Sequence, residues 1–108
     1  NGNAAPGMWL PGNNLALMRR MNKGVLHNDL SACKAYVNGL EAAKNVAAPT
    51  LVLIGGKDMM TPPKATVAVL AALQNARTIT IPDAGHNMLS ESPSDALNAL
   101  WRFANEVT

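Results

Sequence analysis

Two side chains in this sequence combine the residue types of acid–base chemistry with a placement that could use them. Asp58 closes Gly55-Gly56-Lys57-Asp58, directly after the apolar run Thr50-Leu51-Val52-Leu53-Ile54. His86 closes Pro82-Asp83-Ala84-Gly85-His86, directly after Arg77-Thr78-Ile79-Thr80-Ile81. If the two runs are neighbouring parallel strands, both residues leave the sheet at its carboxyl edge, where α/β sheets place their ligand sites. Neighbouring strands lie about 4.8 Å apart, so side chains in the two loops can reach hydrogen-bond contact. A carboxylate beside an imidazole fixes the tautomer, raises its basicity and stabilises the imidazolium formed when the other nitrogen takes a proton. That pair is the base half of a nucleophile–His–acid relay.

Other candidates rank lower. Asp83 lies close to His86 in sequence and could compete with Asp58, but Pro82-Asp83 reads as turn chemistry. His27, beside Asn28 and Asp29, suits a capping or surface role. Cys33 sits in an amphipathic stripe and reads as a small core residue rather than a nucleophile. Met59, Met60 and Met88 flank the acid and the base; soft, adaptable side chains there could line an acyl pocket, or simply fill gaps in a core. Gly55-Gly56 carries neither a P-loop nor a dinucleotide fingerprint.

The elements that must position the pair can be read from pattern. Residues 1–14 are rich in Asn, Gly and Pro and are expected to form a loop or lid, with Met8, Trp9 and Leu10 as a small apolar cluster. Leu15 to Asn22 is helix-prone and stops at Lys23-Gly24. A second helix is expected after Asn28 or Asp29, with Leu30, Cys33, Tyr36 or Val37, and Leu40 forming one apolar stripe weakened by Gly39. The pattern changes at Ala48-Pro49. The run 50–55 suits a strand covered on both faces. Thr61-Pro62-Pro63 reads as cap and first turn of a helix carried by Val67, Leu70 and Leu73. The alternating run 77–81 predicts a less buried strand near a sheet edge, stopped by Pro82. Ser92-Pro93-Ser94-Asp95 caps a final helix reaching about Glu106, with Leu97, Leu100, Trp101 and Ala104 along one side. Strand, helix, strand, helix is a βαβ unit with a right-handed crossover, hence an α/β fold. Two strands do not make a self-sufficient sheet, so something else is expected to complete it: further sequence, a second copy or a complementary chain.

Composition narrows the classes. The 108 residues are 48% apolar and 15% charged, with a formal net charge of +2, which describes a globular domain or a piece of one. Only Arg19-Arg20 are adjacent basic residues and aromatic side chains are few, so nucleic acid is not expected as a partner. No stretch approaches a membrane span and no secretory signal opens the chain, so no membrane partner and a cytoplasmic location are expected. The single cysteine excludes an internal disulfide or a thiolate zinc cluster.

From about Asn28 to Glu106 the sequence resembles the C-terminal part of an α/β-hydrolase. The resemblance is carried by Pro49 through Asp58, by Thr61-Pro62-Pro63, by Ile81 through His86, by Ser90-Glu91-Ser92-Pro93, and by Leu100, Trp101 and Phe103 in the final helix. It implies that Asp58 is the triad acid and His86 the general base. It also implies that residues 1–47 are loop and cap or lid helices, and that 48–108 form the C-terminal βαβα part of the hydrolase core. The expected substrate is a small-molecule carboxylic ester or related acyl compound, with no metal or organic cofactor. The family's nucleophile sits in a G-x-S-x-G elbow upstream of the acid. Ser31, Ser90, Ser92 and Ser94 all lack the flanking glycines, and the oxyanion-hole loop is missing too. The chain is therefore expected to be inactive alone, its partner being the N-terminal half of the same fold or another copy. Family members with an Asp nucleophile act on haloalkanes or epoxides, and others split carbon–carbon bonds; the residues present do not separate these. The alternative is a truncated hydrolase fold used for ligand binding or association.

Overall fold

The computed structural model describes residues 10–107. Among the described residues, three helices precede the sheet: α1 (Leu10–Arg20), α2 (Val25–Ala35) and α3 (Gly39–Lys44). Then come β1 (Thr50–Gly55), a 3-10 turn (Pro63–Thr66), α4 (Val67–Ala72), β2 (Ala76–Ile81), the short α5 (Met88–Glu91) and the long α6 (Pro93–Val107). β1 and β2 pair in parallel, from Thr50 opposite Ala76 to Gly55 opposite Ile81. The βαβα order of an α/β fold is therefore present. The register brings the last residue of each strand level, so the loops bearing Asp58 and His86 leave the sheet side by side.

The first half departs from pattern-based expectation. The segment 10–14 is helical rather than loop, because Pro11 falls in the first turn, where a missing N–H is tolerated; residues 1–9, with Met8 and Trp9, lie outside the described residues. The second helix starts at Val25, ahead of Asn28 and Asp29. Gly24 precedes it with φ of +92°, a left-handed conformation that suits glycine and gives the chain its turn. The expected stripe from Leu30 to Leu40 is broken: Tyr36 is extended, and a new helix begins at Gly39. No side chain of α2 is buried, so no packing holds the stripe in one helix. Cys33 is exposed for the same reason and is not a core residue. No described helix is long and apolar enough to cross a membrane.

The second half is better anchored. α3 packs beside α4, and the Gln74 side-chain amide donates to the Lys44 carbonyl at 2.6 Å. α6 lies against both strands, turning Ala96 and Ala99 inward. Pro93 at its start and Asp95 in its first turn suit a helix N-terminus. An ion pair between Arg77 and Glu106 ties β2 to the far end of α6. The core is small: Ile81, Ala84 and Ala96 cluster with the half-buried Met88 against them. β1 is only half-buried over Thr50–Leu53, with Ile54 and Gly55 buried at its end, so the double cover expected for this run is not supplied by the described residues.

Candidate active site

Gly55 and Gly56 let the two strand-end loops touch. A Cβ on Gly55 would be driven into the Gly85 carbonyl oxygen and would lie 2.9 Å from that of Ala84. One on Gly56 would meet the Pro82 carbonyl oxygen at 2.5 Å. With glycine at both positions, the backbones interlock: Gly56 N–H donates to the Ile81 carbonyl and Lys57 N–H to the Ala84 carbonyl, both at 2.9 Å. The Lys57 ammonium adds an ion pair to Asp83 at 2.6 Å. Asp83 is thereby engaged with Lys57, not with the imidazole.

His86 meets Asp58 instead. Its Nδ1 lies 3.0 Å from Asp58 Oδ2. The carboxylate is 5% exposed, and it also accepts N–H donors from Met60 at 2.8 Å and Thr61 at 2.9 Å on Oδ1, and the Thr61 hydroxyl at 2.7 Å on Oδ2. Burial pushes the Asp58 carboxyl upward, but the hydrogen bonds from Thr61 backbone and hydroxyl, His86 and Met60 outweigh it and hold its pKa well below the usual carboxylate range. An ionised carboxylate only accepts, so Nδ1 must carry the proton between them. That leaves Nε2 as the free lone pair on a ring whose side chain is 46% exposed. The arrangement can accept a proton at Nε2 and hold the resulting imidazolium against a fixed negative charge.

Thr61 is a site residue that sequence pattern assigned elsewhere, as a helix cap. Its hydroxyl donates to Asp58, and its oxygen also lies 3.4 Å from His86 Nδ1. The signal that would have found it is a threonine three residues after a strand-end aspartate, the spacing of a side-chain-closed turn. The three methionines are dispersed. Met59 is 91% and Met60 74% exposed, while Met88 packs on the small core. A cavity of about 350 Å³ lies between β2 and α6, lined by residues including Ile79, Pro82, Asp95 and Arg102, and by none of the methionines, Asp58 or His86. His27 is exposed on α2, its carbonyl accepting the Ser31 hydroxyl at 2.7 Å. Among the described residues, no three His, Cys, Asp or Glu side chains gather as metal ligands.

Several known proteins are similar to this chain. The family described as TAP-like protein, of the α/β-hydrolase class, matches residues 21–102. The chain belongs to the α/β-hydrolase family. It is 41% identical over 75 residues to the Mycobacterium tuberculosis protein named as a non-heme bromoperoxidase, BpoC, a match covering 69% of this chain and 29% of that protein. The chain thus spans less than a third of this α/β-hydrolase relative. The crystal structure of BpoC superposes with a TM-score of 0.60 at 40% identity, over 64% of this chain and 26% of that one. A serine hydrolase involved in carbazole degradation, the CarC enzyme, gives a TM-score of 0.63 at 27% identity, over 69% of this chain and 29% of that one. Rv0554 of Mycobacterium tuberculosis gives 0.64 at 28% identity and covers 94% of this chain and 47% of that one.

Proposed function

We propose that these residues supply the acid and the general base of a nucleophile–His–Asp relay for hydrolysis of a carboxylic ester or related small acyl substrate. The observation that carries the reading is the 3.0 Å contact between a buried, ionised Asp58 and the Nδ1 of an accessible His86. In the reaction, Nε2 takes the proton of the nucleophile as it attacks the acyl carbon, and returns it to the leaving group. It then takes a proton from the water that attacks the acyl-enzyme and passes it to the departing nucleophile, so the acid product leaves and the free enzyme is restored. Asp58 stays ionised throughout and stabilises the imidazolium. Of the activities in the relatives' names, serine hydrolysis uses this pair directly.

The nucleophile and the oxyanion donors are to come from outside these residues, from an N-terminal half of the same fold or from a second copy. Residues 1–47 then serve as cap or lid, and 48–108 as core. Met59 and Met60, exposed beside the acid, and Met88, packed on the small core two residues after the base, are proposed to border the acyl group once that partner is in place. No cofactor enters the scheme.

The test is His86→Ala in the complete polypeptide containing these residues, assayed on an activated aryl ester. Turnover is expected to fall by about a thousandfold or more with the fold retained by circular dichroism. Undiminished turnover would remove the proposed base.

A further inference from the structure

Glu91, at the end of α5, is a carboxylate buried to 8% exposure that the acid–base scheme does not use. Its two oxygens are divided between two backbone donors. Gly85 N–H donates to Oε2 at 2.6 Å, and Asn87 N–H donates to Oε1 at 3.1 Å. Those donors belong to the residues on either side of His86. We propose that Glu91 is a positioning residue that clamps the His86 backbone from both sides and so aims the imidazole at Asp58; this rests on the acid–base reading of His86.

Four features carry the inference. A buried carboxylate is costly unless charge-assisted hydrogen bonds satisfy it, and both of its bonds are spent on this one loop. Gly85 makes the approach possible, because a Cβ there would lie 3.0 and 3.1 Å from the two carboxylate oxygens. The anchor itself is local: Glu91 N–H and Ser90 N–H both donate to the Asn87 carbonyl, at 2.9 and 2.8 Å, so loop and α5 form one rigid turn. The carboxylate is also the one side chain of this length that presents two acceptors. A glutamine presents one acceptor and one donor, and its NH₂ would face an N–H.

The test is Glu91→Gln in the complete polypeptide, alone and combined with His86→Ala. Glu91→Gln is expected to lower kcat about a hundredfold with KM little changed, because a displacement of about 1 Å at the base costs that much. In the His86→Ala background the same change is expected to cost nothing further, since no imidazole remains to be aimed. An independent readout is amide hydrogen exchange: Gly85 and Asn87 are expected to be protected in the unmodified protein and to exchange at least about tenfold faster in Glu91→Gln. The exchange measurement on the unmodified protein needs no variant to fold, and free exchange at both amides would overturn the clamp. So would an equal loss from Glu91→Gln with and without His86, or a full kcat in the single variant. If His86→Ala itself left turnover intact, the catalytic reading would fall, whereas the clamp would still be judged by the two amides.

Discussion

At the Asp58 carboxylate, four hydrogen bonds converge on two oxygens, and together they keep it charged. The consequence for pH has a definite sign. A carboxyl whose folded pKa lies below its unfolded value, about 3.9 for Asp, stabilises the fold fully above that value and loses the contribution as pH falls through the folded pKa. Wild type is therefore expected to hold an advantage over Asp58→Asn near neutrality that shrinks below about pH 4, read as the difference in urea midpoints across a pH series. A difference independent of pH would contradict the bonded, ionised state. The contact between Asp58 and His86 was legible in the sequence because each is the polar residue that follows a recognisable strand. Thr61 was not, because a Thr before two prolines serves equally as helix cap or as turn closure. Only the position of the Asp58 carboxylate decides between those roles. Asp83 shows the converse: proximity in sequence suggested His86, and the salt bridge to Lys57 redirects it.

At the scale of elements, the site is the meeting of two strand ends, and glycine sets how closely they meet. Gly55→Ala would force a methyl against the Gly85 and Ala84 carbonyls, backbone atoms that cannot rotate away. The expected cost is about 1–3 kcal/mol, the range for overpacking, measured by urea denaturation. The Asp58–His86 contact is expected to open with it, and a variant as stable as wild type would show that the loops are not pressed together. The strands and α6 were readable because their signals are short-range: an apolar run, an alternating run and a Ser-Pro-x-Asp start. The helices before β1 were not, since their ends depend on contacts rather than on local pattern. The stripe through Leu30, Cys33 and Leu40 has helical spacing, yet with no residue of α2 buried the chain turns at Tyr36.

At the scale of the whole molecule, the described fold leaves much apolar surface open. Its accessible surface is 8112 Å², against about 5,800 Å² for a folded monomer of its mass. Trp101 and Leu97 on α6 and Leu30 on α2 are among the large apolar side chains left exposed, and no large side chain among the described residues is fully buried. Two strands alone raise the expectation of a completing partner, and the two proposed partners, an N-terminal half and a second copy, would cover the same edge. The 108 residues by themselves are expected to self-associate in sedimentation experiments. A stable monomer whose β1 and β2 amides are all protected from exchange would contradict that expectation.

The most direct measurement is nitrogen NMR of the neutral His86 ring in the complete polypeptide. The neutral ring is predicted to carry its proton on Nδ1, hydrogen-bonded to Asp58, with Nε2 bare, and Asp58→Asn is predicted to shift the proton to Nε2. A ring protonated on Nε2 in the unmodified protein, or one indifferent to Asp58→Asn, would contradict the account.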